Sequence, residues 1–290
     1  MLTDFLSKHH IILKKGANAH ILFLLALNEL LRTKLWLHKK FHGIRRPIVH
    51  YYAVCWNEER MLPFMFDHYG SFVDRFTLCD NHSTDRSAAI IRSRNDATLL
   101  EFDSDGFSDS TNVRIKNSCW KRSRGHADYV IVCDIDEFLY HPDISQLLSQ
   151  LKEKHLSVVK PTGYDMYSAA SPTPLPGQPL TSQVDRGLRA PLYDKCILFD
   201  PHSVVEINYM PGSHECHPWG RIKTYAGDDV RLLHYKNLGI DWLLERNRQY
   251  VERLSKDNLA NDYGVQYLRS EEAIIADFQR NLQQSIPVSQ

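Results

Sequence analysis

The chain has 290 residues, of which 43% are hydrophobic and 24% charged, and its 35 Lys+Arg balance its 35 Asp+Glu. That is an ordinary composition for a soluble globular protein, long enough for one large α/β domain, and a net charge of zero gives no support for bulk nucleic-acid binding, which shows as a basic excess. Six cysteines are scattered without a CxxC pair, several of them in apolar runs, so they read as reduced thiols of a cytoplasmic protein.

The first marked feature is "HILFLLALNELL", residues 20–31, preceded by Lys14 and Lys15. Its uncharged part is shorter than the roughly 20 apolar residues that span a bilayer, and no small-residue cleavage site of a signal peptide follows. Arg32, Lys34, Lys39, Lys40, Arg45 and Arg46 come next. Residues 1–47 therefore read as an N-terminal helical extension, packed first of all on the flank of the following domain. A helix with a basic end over 18–46 also suits peripheral contact with an anionic membrane, here the inner face.

From residue 48 the pattern alternates. "IVHYYAVCW" (48–56) predicts a strand, and the run from Asn57 to Phe72 a helix with Asn57 as N-cap. Strands follow over 74–80, 97–103 and 127–136, separated by helices after Asn81 and over 108–125. Alternation of this kind predicts an α/β fold, a Rossmann-like and mostly parallel central sheet flanked by helices, over a domain of residues 48–290. Beyond Pro142 a helix, a strand over 156–167, a Pro/Ser/Thr-rich loop over 168–183, strands over 193–201 and 228–236 and two further helices are expected.

In such sheets ligands bind beyond the carboxyl ends of the strands. Every predicted strand ends in acids or amides: Asn57 and Glu58, Asp80 and Asn81, Asp103 and Asp105, Asp134 and Asp136. The last pair ends "YVIVCDIDEFLY" (129–140). An Asp-x-Asp there points two carboxylates to one side, a hard oxygen site for Mg²⁺ or Mn²⁺ and a diphosphate; the plainer reading is a solvated turn. Glu137 is left to orient the loop, to carry supporting hydrogen bonds, or to face water. Trp120 reads as core; Arg114 and Lys116 lie near the expected nucleotide edge, where either could touch a diphosphate, a solvated helix face being the plainer reading; Lys195 and Arg246 read as cations for a phosphate. "HECH" (214–217) has the wrong spacing for a zinc helix and is followed by Pro218; it fits an active-site loop better.

"VCWNEERMLPFMFDHYGSFVDRFTLCDNHSTDRS" resembles the opening of a family 2-like glycosyltransferase of the GT-A fold, and "CDIDEFLY" resembles the metal-binding strand of its family 2-like and family 92-like branches. "YDKCILFDP", "GSHE" and "LLHYKNLG" resemble later segments, so the likeness covers residues 48 to about 255. The resemblance implies transfer of a sugar from a nucleoside diphosphate sugar to a hydroxyl of a glycan or lipid-linked acceptor, with inversion, in bacterial surface polysaccharide synthesis. It implies that Asn57 and Glu58 face the nucleotide, that Asp80 contacts the base, that Asp134 and Asp136 form the metal motif, and that His234 completes the metal shell. A buried, hydrogen-bonded histidine is the alternative for His234. The family's usual base motif is not evident, leaving Glu215, then Asp194 and Asp185, as candidates to take the acceptor proton. Two rivals remain: a nucleotidyltransferase, although the loop "CWNEER" has no glycine to cradle a triphosphate, and a non-catalytic glycan-binding or nucleotide-binding relative.

Overall fold

The computed structural model describes residues 18–225 and 227–288, so Lys14, Lys15 and the rest of 1–17 lie outside the described residues. Helix α1 (Asn18–Phe41) precedes an alternating series: β1 (Val49–Cys55), α2 (Leu62–Tyr69), β2 (Arg75–Asp80), α3 (Ser87–Arg92), β3 (Ala97–Glu101), α4 (Asp109–Ser118) and β4 (Tyr129–Val132). The chain continues through β5 (Glu137–Tyr140), α5 (Ile144–Glu153), β6 (Val158–Val159), β7 (Thr162–Ser168), α6 (Leu180–Gln183), β8 (Arg186–Arg189) and β9 (Leu198–Phe199). It closes with β10 (Val204–Glu206), β11 (Trp219–Gly220), β12 (Thr224–Tyr225), β13 (Arg231–Leu238), α7 (Ile240–Arg253), α8 (Lys256–Ala260), α9 (Glu271–Gln284) and β14 (Ile286–Pro287).

The main sheet runs β12-β6-β9-β4-β1-β2-β3, and the block β4-β1-β2-β3 is parallel. The fold is therefore mixed α/β, with a mostly parallel central sheet flanked by helices and an added N-terminal helix. A second sheet runs β14-β8-β7-β13-β5. Strand β4 belongs to the first sheet and β5 to the second, so residues 133–136 carry the chain from one sheet to the other. The buried, β-branched run from Val130 to Val132 supplies the central strand, and Trp120 is fully buried, edge-on to Phe199 at 4.9 Å.

Several boundaries differ from the sequence expectation, each for a local reason. The strand expected over 156–167 splits into β6 and β7, in different sheets, because Pro161 lies between them and has no N–H for a ladder. The strand expected over 193–201 contracts to β9, and Lys195 ahead of it turns inward. Asn57 caps no helix: α2 begins at Leu62 with Pro63 in its first turn. Asn57 instead adopts φ 50° and accepts from the Thr84 amide at 2.8 Å, tying the loop after β1 to the loop after β2.

Helix α1 lies on the domain through buried Leu25 and Leu35 and through polar bonds. Asn28 donates to the His202 carbonyl at 3.2 Å, Arg32 pairs with Asp200 at 2.9 Å and Lys39 with Asp128 at 2.5 Å. Its other side is a stripe of Phe23, Leu27, Leu30, Leu37 and Phe41, all exposed, three, four or seven residues apart along one helix face. No helix of the described residues is long and apolar enough to cross a membrane.

Candidate active site

A cavity of about 600 Å³ opens beyond the carboxyl ends of β1 and β4, beside the turn between the two sheets. The turn is held by hydrogen bonds at both of its ends. The Asp134 amide donates to Glu137 Oε2 at 2.9 Å and the Glu137 amide returns to the Asp134 carbonyl at 3.1 Å. Tyr51 donates to the Asp134 carbonyl, Tyr69 to the Glu137 carbonyl, and the Tyr235 amide to the Asp136 carbonyl. Glu137 is thus the clamp of the turn, not a solvated acid. It is 1% exposed and its Oε1 lies 2.6 Å from Nζ of the equally buried Lys195.

The two aspartates of the turn are neutralised by different partners. Lys116 Nζ donates to Asp134 Oδ1 at 2.6 Å. Burial alone would raise the pKa of Asp134, but Lys116 and Lys195 bring it below the usual carboxylate range. Lys116 was expected on a solvated face, and it is 5% exposed. Trp120, in the short 3-10 turn that follows α4, is in the core. Asp136 faces His234, with Oδ2 and Nε2 3.5 Å apart, and the other ring nitrogen lies 2.7 Å from Asp165 Oδ1. The strand ladder imposes this meeting, because His234 of β13 is in register with Glu137 on one side and with Asp165 on the other. Burial favours neutral His234, but Asp136 and Asp165 outweigh it and hold its pKa up at about 10.

These groups fit a divalent cation in part. Two ligands about 3 Å apart suit adjacent positions around an octahedral ion with bonds near 2.1 Å, close to the separation of Asp136 Oδ2 and His234 Nε2. A histidine whose second nitrogen is fixed by a carboxylate, as by Asp165, is the usual oriented metal ligand. Among the described residues no group of three or more His, Cys, Asp or Glu side chains could hold a metal by itself. Further ligands would have to be phosphate oxygens and water, the common arrangement for Mg²⁺ or Mn²⁺.

The floor beside Asp136 and His234 is built by α7. Arg246 donates to the Asn57 carbonyl at 3.0 Å and to the Tyr250 hydroxyl at 2.9 Å, and it pairs with Glu58. Burial pushes Glu58 up to about 7 despite Arg246. Further along the wall Arg253 stacks over the Trp56 ring at 3.7 Å and donates to Asn81 Oδ1.

No protein-family model matches the chain, and no curated protein matches it. Among solved structures, a crystal structure of S. aureus TarS 1-349 matches at TM-score 0.39 and 8% identity, over 71% of this chain and 65% of that one. A crystal structure of S. aureus TarS matches at TM-score 0.41 and 9% identity over 81% and 43%. TarS 1-349 in complex with UDP matches at TM-score 0.41 and 11% identity over 80% and 70%. The chain thus spans less than two thirds of the first two structures. Likeness at this level assigns no activity.

Of the residues singled out in the sequence, Glu58, Asp134, Asp136, His234 and Arg246 meet at the cavity. Lys195 supports the turn from below. Asn57 braces its neighbouring loops and presents its carbonyl to Arg246. Asp80 is 1% exposed and both its oxygens accept from Ser83, at 2.5 and 3.0 Å; its neighbour Asn81 lines the cavity instead. Asp103 and Asp105, past β3, are exposed and off the cavity. The three acids expected to take a proton do not line it either. Glu215 points to solvent and lies 3.0 Å from His217, because an isolated bridge between Tyr209 and Cys216 turns that part of the loop outward. Asp194 accepts from the Gly163 amide at 2.8 Å and pairs with Arg189, bracing β7 and β8. Asp185 precedes β8, where its carbonyl accepts from the Val288 amide. Sequence reasoning gave no site role to the side chains of Asp165, Tyr193 and Trp56, although Trp56 and Tyr193 stand within "VCWNEER" and "YDKCILFDP"; the pairing of His234 with Asp165 depends on strand register.

Proposed function

We propose that the protein is a metal-dependent glycosyltransferase of GT-A type that moves a sugar from a nucleoside diphosphate sugar to a hydroxyl of a glycan or lipid-linked acceptor, with inversion. The observation that carries this reading is the convergence, at the carboxyl edge of a parallel sheet, of a fixed Asp-x-Asp turn with His234 and the cations Lys116 and Arg246. Asp136 and His234 would hold Mn²⁺ or Mg²⁺, which supplies charge neutralisation for a departing diphosphate. Lys116 and Arg246 add donors for phosphate oxygens, and Asp165 keeps His234 in one orientation. Trp56 and Arg253 form a flat platform of the kind on which a nucleobase stacks. Lys195 and Glu137 keep the turn from relaxing when a charged ligand enters.

The exposed stripe on α1, with Lys34, Lys40 and Arg45 close by, supports peripheral binding to an anionic membrane, and a role in bacterial surface polysaccharide synthesis at the cytoplasmic face accords with it. The decisive experiment screens UDP- and GDP-sugars for binding and for release of the nucleoside diphosphate, with and without Mn²⁺. Release should need the metal and should be lost in Asp136→Ala. No turnover of any donor, together with donor binding unaltered in Asp136→Ala, sinks the proposal.

A further inference from the structure

The carboxylates of the cavity wall are mostly engaged: Glu58 with Arg246, Asp134 with Lys116, Asp136 with His234, Glu137 with Lys195, and Asp109 with Asn258. A different polar group lines the same wall without a partner. His214 makes no hydrogen bond to any described residue, and its Nδ1 is buried. Buried polar atoms in folded proteins nearly always have a partner, so a group outside the protein is expected here. The Tyr193 hydroxyl likewise has no partner among the described residues, although Tyr193 is 8% exposed and lines the cavity.

The two rings are placed with care. His214 meets the Tyr193 ring edge-on at 5.2 Å, and Tyr193 in turn lies against His234 at 4.2 Å. The loop that delivers His214 is fixed by left-handed backbone at Gly212 (φ 78°) and Ser213 (φ 56°), with the Ser213 amide donating to the Met210 carbonyl at 2.8 Å. Ser213 is not a glycine and holds that conformation under strain. Burial, and then the charges of Lys195, His234 and Lys116, lower the His214 pKa to about 4. The ring is neutral near pH 7 and has a lone pair.

We propose that His214, beside the Tyr193 hydroxyl, is the catalytic residue that takes the proton of the attacking acceptor hydroxyl. The inference rests on reading the cavity as a sugar-transfer site. In the step, the acceptor oxygen forms its bond to the anomeric carbon. The bond from that carbon to the diphosphate oxygen breaks, its electron pair leaving with the diphosphate. The hydroxyl proton passes to the free ring nitrogen of His214 and from there to water. The rival is Asp262, which lines the cavity on an exposed loop and whose carboxylate has no partner among the described residues; nothing orients it, whereas half-buried His214 is held edge-on to Tyr193.

The test uses the full chain, a UDP- or GDP-sugar that it turns over, and water as acceptor, so that release of the nucleoside diphosphate is read directly. His214→Ala should lower kcat by about 10²- to 10⁴-fold, the usual worth of a positioned base. Donor KM and UDP affinity should stay at wild-type values, and added imidazole should restore part of the rate. His214→Gln, closer in size, should show the same loss if the alanine variant does not fold. Activity within about threefold of wild type in either variant, or a fall in UDP affinity that matches the loss of rate, overturns the assignment. So does a large loss in Asp262→Asn alone. If the wild-type chain binds and turns over no nucleotide sugar, the parent reading fails, and this assignment with it.

Discussion

Replacing Lys195 by methionine tests the central structural claim, that a buried ion pair clamps the acidic turn. Lys195 and Glu137 are 2% and 1% exposed, and their charged atoms are 2.6 Å apart. Burial lowers the pKa of Lys195, but Glu137 and Asp134 outweigh it and raise the value overall. Methionine keeps most of the volume and removes the charge. Glu137 then keeps only the Asp134 amide as a donor, in a place water does not reach. Removing one partner of such a pair costs about 3–5 kcal/mol, because it leaves an uncompensated charge, whereas removing both charges is often nearly neutral. For a protein of this size 1 kcal/mol shifts Tm by about 2–4 °C, so Lys195→Met should melt roughly 10 °C lower. The double variant Lys195→Met/Glu137→Gln should recover most of that. Urea unfolding followed by circular dichroism on the four proteins of the cycle gives the coupling energy. A single variant within about 1 kcal/mol of wild type, or a double variant worse than the sum of the singles, would refute the clamp.

His234→Asn should abolish metal-stimulated turnover, read by a Mn²⁺ titration of donor release; a metal response like that of wild type would count against its role. Arg246→Lys retains the charge but loses the fork that reaches the Asn57 carbonyl, Glu58 and Tyr250 together, so donor affinity should fall about tenfold by calorimetry. His68 stacks on Phe138 and lies 2.8 Å from the Leu139 carbonyl, and burial lowers its pKa to about 4. The unfolded chain takes up this proton below about pH 6.5, so the stability from neutral His68 is whole above that pH and is lost as pH falls toward 4. The loss should be on the order of 2–3 kcal/mol, and the unfolding midpoint of His68→Gln should show a weaker pH dependence over that range. Leu30→Glu with Phe41→Glu should cut cosedimentation with phosphatidylglycerol vesicles several-fold without changing Tm; equal binding would remove the membrane from the function of α1.

The parallel sheet was legible because alternation of strand and helix is a local pattern, and Asp134 and Asp136 were legible because a change of polarity at a strand end is local as well. What lay hidden depends on long-range geometry. Glu137 could not be resolved, since its partner Lys195 is brought under it by a stretch that forms little strand. Lys116 was legible only in part: its place near the nucleotide edge pointed to a phosphate, but a lysine on a helix usually faces water, and its burial against Asp134 depends on packing. Asp80 stood out as an acid at a strand end, yet the turn after it uses both oxygens for Ser83. Glu215 and His214 differ by one position, and the backbone at Gly212 and Ser213, which no pattern of side chains encodes, decides which of them faces the cavity.

The passage of the chain from one sheet to the other through residues 133–136 has a mechanical consequence. The Cys133 amide is bonded to Tyr52 of the first sheet and the Asp136 carbonyl to Tyr235 of the second. The two ends of the turn are therefore anchored to different sheets, and a slide of one sheet against the other would strain the turn that carries both carboxylates. Strain applied far away, at the outer edge of either sheet, would register there first. Substitutions remote from the cavity that shift sheet against sheet should thus change turnover before they change stability, making activity the finer gauge of how the two layers are seated.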